Sequence, residues 1–567
     1  MSLTEPISSL TDLFDDEPEE DPYRRRLGVV RIVVVLALLA VVVQLYRLQI
    51  VEGAAYRDRA DNNRFRLMSV DAPRGVIYDR NHEIIARNRP TYTIGIIQAD
   101  LPHQPDVVYR RLGTLLSMDP SAIAERVKKQ EGDRFGIVRL KSNAPQDLSF
   151  IIEERHRELP GVHVIVEPSR DYVTGLLTSH IVGYTGPISS EQYAQLKLDR
   201  AAAYRVNDRI GQAGLELQYE RDLRGRAGER QMEVDAAGRE VRTLGVTQPT
   251  AGHNLVTTVD LRLQRAAYEV LSAKLDQYEV ASFVALDPWT GQVLAMVHLP
   301  TYDNNLFSRG ITDQELQALL GDSRSPLLNG TIGAAYPPGA TFEAITATAA
   351  LQEAVVKPDQ KADCNGQIIV PSRSDPSVGT RFVDTGVFGP QDIVSALAGQ
   401  CRIYFYLAGG GDPDGRSEGV GIERLTRYAR AFGLAQLSGI DIDGEIPGVI
   451  TSPEERKARD GLTWYKGDTY LASIGENFLL VTPLQMANVA AVVANGGTLY
   501  RPQMLLSVES DDGVRMRTAS SEVRSRLDVS PSHLAVVRTG MRALFGEGTT
   551  EYGTKYTGVG RRLGVPP

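Results

Sequence analysis

The chain has 567 residues, of which 42% are hydrophobic and 23% are charged, so it is too long for a single core and ordinary enough to fold as several structural units. Its formal net charge of -9, with no basic stripe interleaved by aromatic residues, argues against a nucleic-acid partner. Only two cysteines occur, Cys364 and Cys401, and neither lies in a CxxC pair or a Cys/His cluster, so we expect no metal site and no cofactor. A disulfide between them would be compatible with export, but we expect two buried free thiols.

An apolar run follows an acidic N-terminal segment. Residues 1–26 contain few large apolar side chains, which predicts a disordered tail. From Leu27 to Tyr46 the chain is apolar except for Arg31 and Gln44, and this length is enough to cross a bilayer as a helix. A cleaved signal peptide would end at a small-x-small site, and a buried core helix would show a polar face, whereas neither feature is present. We therefore predict an uncleaved transmembrane anchor at residues 27–48.

The orientation of the anchor follows from the charges before it. Arg24, Arg25 and Arg26 precede the apolar run. The positive-inside rule then leaves the tail in the cytoplasm and places the chain after about residue 48 outside the membrane.

The segment from residue 49 to residue 252 has a mixed pattern typical of an α+β domain. Alternating strands are predicted at 91–97 and 163–168, and polar helices at 123–131 and 191–198. Because no part of it concentrates ionisable residues, we interpret this region as a pedestal rather than a catalytic domain.

A second domain is predicted from residue 253 to residue 567, after a stretch rich in Pro, Gly and Asn at 247–254. A strand is followed by a helix for which Asp260 is placed as the N-cap, and two apolar strands flank the turn "PWTG" at 288–291. Strands interrupted by long helices predict an antiparallel sheet between helical layers. The segment "AGGGDPDG", residues 408–415, is predicted to be a flexible loop and lacks the pattern of a phosphate-binding loop.

Several segments in order resemble one family. "APRGVIYDRN" (72–81), "GLELQYERDLRG" (214–225), "ALDPWTGQVLAMV" (285–297) and "YPPGATF" (336–342) are similar to signature segments of the class B penicillin-binding proteins. These are membrane-anchored D,D-transpeptidases that cross-link peptidoglycan. The resemblance implies a pedestal of the dimerisation type, followed by a helix/antiparallel sheet/helix domain like the penicillin-binding transpeptidase domain.

The first motif of that family is altered. The family places S-x-x-K at the start of a helix, because the serine needs a nearby amine to take its proton. The matching positions are Ala340 and Glu343. The only neighbouring hydroxyl is that of Thr341, which one helical step turns by about 100 degrees from the position of the nucleophile. The resemblance therefore assigns the site to this loop, whereas the residues lack its nucleophile and its base.

The second motif, S-x-N in the family, matches Gln400, Cys401 and Arg402. Glutamine and arginine are longer than the residues that they replace, and we expect them to intrude into the cleft. Cys401 occupies the middle position, which points away from the site in the family pattern, and nothing marks it as a reactive thiolate.

The third motif, K-[ST]-G, is not securely present. Its possible remnant is Lys555, Thr557 and Gly558, with an extra tyrosine inside the string. Since the family continues through another strand and a closing helix, we expect the domain to be truncated at its C-terminus and its sheet to lack an edge.

The charge changes at the first two motifs are reciprocal. Because the two motifs face each other in the family, we predict an ion pair between Glu343 and Arg402. The alternative is that both side chains point into solvent in a widened cleft. An anionic side chain is also favoured near a helix N-terminus, by about 0.3–1 kcal/mol.

Three functional hypotheses follow. The first is a pseudo-transpeptidase without catalytic residues, which acts at the cell membrane as a scaffold or regulator of wall synthesis and binds proteins of wall synthesis or division, and a peptidoglycan stem peptide noncovalently. The second is an active D,D-transpeptidase with an atypical catalytic set that includes Thr341, Cys401 or Lys555. The third is a decayed, truncated copy.

Overall fold

The computed structural model describes residues 22–52, 65–129, 136–196, 204–205, 208–234, 240–277, 279–371 and 378–562. The chain divides into two units, one made of residues 1–69 with 229–247 and the other of residues 70–228 with 248–567. The predicted disordered tail lies outside the described residues as far as residue 21.

The first unit contains the predicted anchor. Helix α1 spans Pro22–Tyr46 and continues as a π-helical turn, Arg47–Val51. Residues Val30–Val51 form a helix long and apolar enough to cross a membrane, and none of its residues is buried. The same unit holds a three-stranded sheet in the order β1 (Phe65–Val70), β8 (Gly228–Val234) and β9 (Glu240–Thr247).

The second unit contains the remaining strands. They are β2 (Ile77–Tyr78), β3 (Ile84–Ile97), β4 (Ile137–Ala144), β5 (Val162–Tyr172), β6 (Thr185–Pro187), β7 (Arg209–Gly211), β10 (Asn254–Thr257), β11 (Ala281–Leu286), β12 (Val293–Leu299), β13 (Ala362–Cys364), β14 (Gln367–Pro371), β15 (Gly379–Val383), β16 (Gly389–Gln391), β17 (Val449–Ile450), β18 (Leu479–Leu480), β19 (Thr498–Tyr500), β20 (Leu505–Glu509), β21 (Arg515–Thr518), β22 (Val523–Arg526), β23 (Glu547–Thr549) and β24 (Lys555–Thr557).

Its helices are α2 (Asp106–Leu116), α3 (Pro120–Lys129), α4 (Gln146–Glu154), α5 (Ser179–Val182), α6 (Ser190–Leu196), α7 (Gly214–Gln218), α8 (Glu220–Leu223), α9 (Leu261–Ser272), α10 (Asn305–Ser308), α11 (Asp313–Gly321), α12 (Gly330–Gly333), α13 (Glu343–Gln352), α14 (Ile393–Gly399), α15 (Arg402–Gly410), α16 (Ile422–Ala431), α17 (Pro453–Asp460), α18 (Lys466–Ser473), α19 (Pro483–Ala494), α20 (Pro531–Ala543) and α21 (Val559–Arg562). Short 3-10 turns lie at Gln98–Asp100, His156–Glu158, Gly175–Leu177, Leu275–Gln277 and Gly339–Phe342.

A seven-stranded sheet connects the pedestal region to the later part of the chain. Its strands run in the order β21-β20-β10-β2-β3-β4, and β5 also pairs with β3. Strands β10, β20 and β21 come after residue 252, whereas β2 to β5 come before it. The sheet therefore crosses the predicted boundary at 252/253, and the exact limits of the domains stay a prediction.

Two of the segments that carry the family resemblance meet at a buried ion cluster. The Arg74 guanidinium, from the first segment, contacts the carboxylates of Glu216 at 2.5 Å and Glu220 at 2.6 Å, from the second. Arg170 also contacts Glu216, at 2.7 Å. Burial alone would raise the pKa of Glu216, but the two arginines reverse this and lower it. The signature residues thus hold β5 and α7 together in the pedestal.

The predicted hairpin and its neighbours are confirmed. Strand β11 pairs antiparallel with β12 from Ala281↔Leu299 to Leu286↔Val293. The Asp260 carboxylate accepts from the backbone N–H groups of Arg262 and Leu263, so it caps α9 as predicted. Helix α9 packs on one face of the hairpin, whereas α12 and α19 pack on the other. The predicted arrangement of an antiparallel sheet between helices is therefore present.

Helix α13 lies at the centre of the larger core. Its residues 343–351 are all buried, and it contacts α15, α16 and α20. Small side chains dominate its sequence, "EAITATAALQ", which lets helices approach it from every side. The first-motif loop consequently leads directly into a helix that is buried along almost its whole length.

The prediction of a flexible glycine-rich loop at 408–415 is wrong for its first residues, since α15 extends to Gly410. A Cβ atom on Gly409 would lie 2.3 Å from the Ser473 Cβ, and one on Gly410 would lie 2.4 Å from the Tyr470 ring. The glycines allow α15 to pack closely against α18. They are packing residues here rather than a source of flexibility.

The two cysteines form a disulfide, so the expectation of free thiols is also wrong. Cys364, at the end of β13, is bonded to Cys401, at the start of α15, with Cα atoms 6.4 Å apart and a sequence separation of 37. Both residues are buried. The pairing depends on the antiparallel contact of β13 with β16, which the sequence pattern did not reveal.

The disulfide makes a testable contribution to stability. We expect a Cys364→Ser/Cys401→Ser variant to lose about 2–4 kcal/mol of unfolding free energy, because the bond restricts the unfolded chain. Urea unfolding followed by circular dichroism measures this loss. As a control, a reducing agent should lower the stability of the wild-type protein and leave that of the double variant unchanged. Equal stability of the two proteins in the absence of the reducing agent would contradict the assignment.

Candidate functional site

The loop that carries the first motif is fixed by backbone contacts. Tyr336 and Val481 exchange two backbone hydrogen bonds of 2.9 Å, and the Gly339 N–H donates to the carbonyl of Gly475 at 3.3 Å. Gly475 has a φ of 74°, and a Cβ there would lie 2.4 Å from the Gly339 oxygen, so only glycine fits. The loop is therefore held in one position relative to the segment before β18.

The position that matches the family's nucleophile, just before α13, carries an alanine. Ala340 is half-buried in the 3-10 turn Gly339–Phe342 and offers only a methyl group. Thr341 is exposed, and its hydroxyl donates to the Pro338 carbonyl at 2.6 Å. This hydrogen bond occupies the proton that a base would have to remove. The structure thus places the only neighbouring hydroxyl outside the first-motif position, as the helical spacing predicts.

Glu343 is the first residue of α13 and is almost completely buried, with 1% of its surface exposed. Its Oε1 atom has no hydrogen-bond partner. Burial raises the pKa of this carboxyl well above its ordinary value, the nearby Asp384 carboxylate raises it further, and Arg402 opposes both. Burial and Asp384 both disfavour the charged carboxylate. The stabilisation of a negative charge by the helix dipole, which the sequence led us to expect, is therefore smaller than these two effects.

The second motif begins α15. Gln400 ends α14 in the left-handed conformation, with φ 54° and ψ 53°. Cys401 is the N-cap of α15, where its sulfur accepts from the Tyr404 N–H at 3.3 Å. The Asp384 carboxylate accepts from the Ile403 N–H at 3.1 Å. The start of α15 is therefore held by a cap, a disulfide and a carboxylate at once.

Asp384 is a residue near the first and second motifs that the sequence did not indicate. It follows β15 and belongs to none of the three motifs, so no local pattern marks it. Asp384 reaches the start of α15 because the chain between the first and second motifs folds back onto that helix. It places a second carboxylate beside Glu343.

The predicted ion pair between Glu343 and Arg402 is not formed. The two residues interact electrostatically, but no ion pair within 4.0 Å joins them in the described part of the chain. Arg402 also acts on the hydroxyl of Tyr406, one turn further along α15, where its positive charge lowers the pKa of that tyrosine against the larger, opposite effect of burial. The half-buried arginine stays near solvent while the carboxyl of Glu343 lies inside the core, and this difference in depth separates them.

The third-motif remnant lies on a short hairpin. Strand β24 carries Lys555 and Thr557 and pairs with β23, whereas Gly558 follows the strand and packs against the Leu544 carbonyl. Lys555 and Thr557 are exposed, and together with Gln400 they line a cavity of about 960 Å³. Neither Ala340 nor Glu343 lines it. The structure thus places Gln400, from the second motif, beside the third-motif remnant, and it places Glu343 where the charge of Arg402 acts on it. Residues from all three motifs do not line one cavity.

The buried carboxyl makes stability depend on pH. Unfolded glutamate has a pKa near 4.3, and the folded state raises the pKa of Glu343, so below the unfolded value both states hold the proton. As the pH rises toward and through the folded pKa, wild-type stability falls. We expect Glu343→Gln to equal wild type near pH 4 and to be more stable by about 1–3 kcal/mol at pH 8, as measured by urea unfolding.

The matched control is Glu418→Gln, at an exposed glutamate, which should leave the pH dependence of stability unchanged. A Glu343→Gln variant that lost stability relative to wild type as the pH rose would show that the carboxylate is charged and paired, contrary to the structure.

Comparison with known proteins is consistent with this architecture. A family model described as the penicillin-binding protein dimerisation domain matches residues 69–257. A second, described as the penicillin-binding protein transpeptidase domain, matches residues 281–562. The two matches cover the pedestal region and the region that contains all three motif positions.

Individual relatives extend the match over most of the chain. The peptidoglycan D,D-transpeptidase MrdA of Escherichia coli K12 is 31% identical over 510 residues, which cover 88% of this chain and 77% of MrdA. A solved structure of a peptidoglycan synthase complex that coordinates polymerization and crosslinking contains a chain with 27% identity and a TM-score of 0.63, with 91% of this chain and 84% of that chain covered. The penicillin-binding protein PBP2 of Helicobacter pylori, solved with MreC, shares the fold at 22% identity and a TM-score of 0.68, with 86% and 85% covered.

The identity to MrdA holds across both matched domains, and the signature segments of the pedestal form the buried cluster around Glu216. The chain therefore belongs to the class B penicillin-binding proteins, as a homologue of the peptidoglycan transpeptidases of the MrdA type.

Proposed function

We propose that this chain is a non-catalytic pseudo-transpeptidase, anchored in the cell membrane, that serves peptidoglycan synthesis as a scaffold or regulator. The observation that carries the proposal is the first turn of α13, where Ala340 replaces the nucleophile and a buried glutamate replaces the amine base. Acyl transfer through a serine needs a hydroxyl and a base within hydrogen-bond reach of each other. Neither group is present at these positions.

The candidates for an atypical catalytic set are each engaged in other contacts or displaced. The Thr341 hydroxyl donates to a backbone carbonyl. Cys401 is in a disulfide, so it has no free thiol with which to attack. Lys555 lies on the exposed hairpin beside the cavity that excludes Glu343. These contacts favour the scaffold over an active transpeptidase.

The anchor and the disulfide both favour a location outside the cytoplasm for most of the chain. Helix α1 exposes its apolar side chains from Val30 onward, which lipid would cover. The arginines that precede it favour a cytoplasmic N-terminus. A buried disulfide is typical of a domain that folds in an oxidising compartment, outside the cytoplasm. The proposed topology is therefore a single pass with most of the chain outside.

The pedestal offers an apolar surface for a partner. Tyr92 lies opposite Val166 in the pairing of β3 with β5, and the Tyr92 ring contacts that of Phe150 edge-on, with centroids 6.1 Å apart. Val166 is 64% exposed and Phe150 56%. These three residues, here called the pedestal patch, form an apolar surface in which Val166 and Phe150 are exposed and Tyr92 is partly buried, and apolar surface of this kind marks protein interfaces. Since PBP2 of Helicobacter pylori was solved with MreC, we propose that the patch binds a wall-synthesis protein of that type.

The cavity beside the second motif is where a peptidoglycan stem peptide would bind without reacting. Its lining includes the ammonium of Lys555 and the amide of Gln400, which suit a terminal carboxylate and a peptide group. Binding there would be noncovalent because neither Ala340 nor Glu343, the positions of the family's nucleophile and base, lines the cavity.

Rescue of a deletion strain tests the proposal. We expect a cleft variant, Thr341→Ala/Lys555→Ala, to restore growth and wall morphology as well as wild type does. A patch variant, Phe150→Asp/Val166→Lys, should fail to restore them although the protein accumulates. Leu320→Lys, which places a charge at another exposed apolar position on α11, is the matched control and should rescue.

Loss of rescue by the cleft variant at normal protein levels would favour an enzyme with an atypical catalytic set. A deletion strain without any growth or wall defect would favour a decayed copy. Either result would contradict the scaffold.

A further inference from the structure

A polar cavity lies on the face of the pedestal sheet opposite the pedestal patch. Its volume is about 140 Å³. Thr91 and Thr93 of β3 line it, and they alternate with Tyr92 of the patch, because successive strand residues point to opposite faces of a sheet. Ser142 of β4 and Ser169 of β5 line it as well. The floor of the cavity is therefore built from uncharged hydroxyl groups.

Three of these hydroxyls are available to a ligand. The Thr91 hydroxyl donates to the Glu167 carbonyl at 3.5 Å. Those of Thr93, Ser142 and Ser169, here called the hydroxyl floor, make no hydrogen bond to another residue in the described part of the chain. Each hydroxyl has one proton to donate, so the floor can serve an acceptor with several oxygen atoms.

Arginine side chains surround the hydroxyl floor. Five of them line the cavity, and four of the five contact carboxylates: Arg74 contacts Glu216 and Glu220, Arg139 contacts Asp71 and Glu167, Arg170 contacts Glu216, and Arg224 contacts Asp208. The fifth is Arg209, which has no ion pair within 4.0 Å among the described residues. All three carboxylates that line the cavity are thus already paired, whereas one guanidinium is not.

The Arg209 guanidinium is positioned by backbone carbonyls. Its Nη2 atom donates to the carbonyl of Thr185 at 2.9 Å and to that of Phe307 at 2.8 Å. Arg139 and Glu167 act on it electrostatically, but these two are paired with each other at 2.6 Å. Arg209 is also exposed, so a solute can reach it. Its charge is therefore fixed in place, accessible and without a close counter-ion in the described structure.

Arg170 provides an independent indication of a ligand. Its side chain is only 3% exposed, and it lines the same cavity. Its Nε atom donates to Glu216 at 2.7 Å and its Nη1 atom to the Gly75 carbonyl at 2.8 Å, whereas the buried Nη2 atom has no partner. Buried donors without an acceptor are rare, because their lost hydration is not replaced. An oxygen-rich anion in the cavity would supply that acceptor.

We propose that this cavity binds a phosphate group through Arg209, Arg170 and the hydroxyl floor. Guanidinium groups make strong charge-assisted hydrogen bonds to phosphate oxygens. The donors come from β3, β4, β5 and β7, which suits a tetrahedral anion that accepts from several directions better than a planar carboxylate. The source of the group is inorganic phosphate or a phospholipid headgroup, which share this chemistry. This site is separate from the pedestal patch and from the cavity beside Gln400.

Calorimetry with inorganic phosphate tests the site. Phosphate is titrated at pH 7.5 into the full-length protein in dodecyl maltoside micelles, with sodium chloride holding the ionic strength constant. We expect saturable binding, slower amide hydrogen exchange at residues 185–187 and 209–211, and unchanged exchange at residues 422–431. Acetate should bind about tenfold more weakly, because it is planar and carries less charge.

Two variants identify the residues that hold the phosphate. Arg209→Gln removes the unpaired charge, and Thr93→Val removes one hydroxyl while keeping the shape of the side chain. We expect phosphate binding to weaken about tenfold in the first and about fivefold in the second. Arg265→Gln, at an exposed arginine of α9, is the matched control and should bind like wild type. If Arg209→Gln does not fold, as judged by circular dichroism, Thr93→Val decides the outcome.

Nanodiscs distinguish the two sources of the phosphate group. The wild-type protein is placed in discs of phosphatidylcholine alone or of phosphatidylcholine with phosphatidic acid, and the phosphate titration is repeated. A lipid headgroup as the occupant predicts weaker apparent binding of inorganic phosphate in the discs with phosphatidic acid, whereas soluble phosphate as the occupant predicts equal binding in both.

Three results would overturn the proposal. Acetate that bound as tightly as phosphate would indicate a carboxylate as the ligand. Unchanged phosphate affinity in Thr93→Val and in folded Arg209→Gln would indicate an adventitious ion only. Exchange protection that spared residues 185–187 and 209–211 would place the phosphate elsewhere on the protein.

Discussion

The burial of the Glu343 carboxyl group constrains the rest of the cleft. It opens the helix that lies at the centre of the core, so its surroundings are set by the packing of α13 against several other helices. A carboxyl group in this position is stable when it is neutral, and a charged one would require a close partner. The charge of Arg402, on α15, favours the ionised form of Glu343, whereas that of Asp384, which accepts from the N–H of Ile403 in the same helix, disfavours it. The cleft is therefore arranged around a buried acid and not around a reactive pair.

The structural elements around that acid are firmly fixed. The disulfide joins β13 to the first turn of α15, and the loop before α13 is pinned to the segment before β18 by backbone hydrogen bonds. Catalytic sites of this kind need a nucleophile with an adjacent base, and such groups carry strain and unfavourable charge. A cleft without that demand can use the same positions for stability. Under the proposed function, this is how the fold is kept while its chemistry is lost.

Local features of the fold followed from the sequence, and long-range ones did not. The hairpin at 281–299 and the Asp260 cap depend on neighbouring residues, so their patterns were sufficient. The positions of Ala340 and Glu343 followed from the family resemblance. The disulfide, the burial of Glu343 and the role of Asp384 depend on how distant segments pack, which periodicity does not encode. The predicted Glu343–Arg402 ion pair is absent for the same reason, because reciprocal charges in the sequence do not show how deeply each side chain is buried.

The glycines of α15 illustrate the same limit. Gly409 and Gly410 predicted flexibility because glycine breaks helices in isolation, yet the close approach of α18 requires them. The informative property of these glycines is that they lack a side chain. Its structural role depends on α18, a neighbour that lies more than sixty residues away in the chain, as Ser473 does from Gly409.

The proposed function requires that the cleft forms no acyl-enzyme, and the intact mass of the purified protein after incubation with penicillin tests this most directly. Under conditions that acylate a catalytically intact family member, the mass of this protein should remain unchanged. A gain equal to one penicillin molecule, lost on substitution of Thr341 or Lys555, would contradict the account.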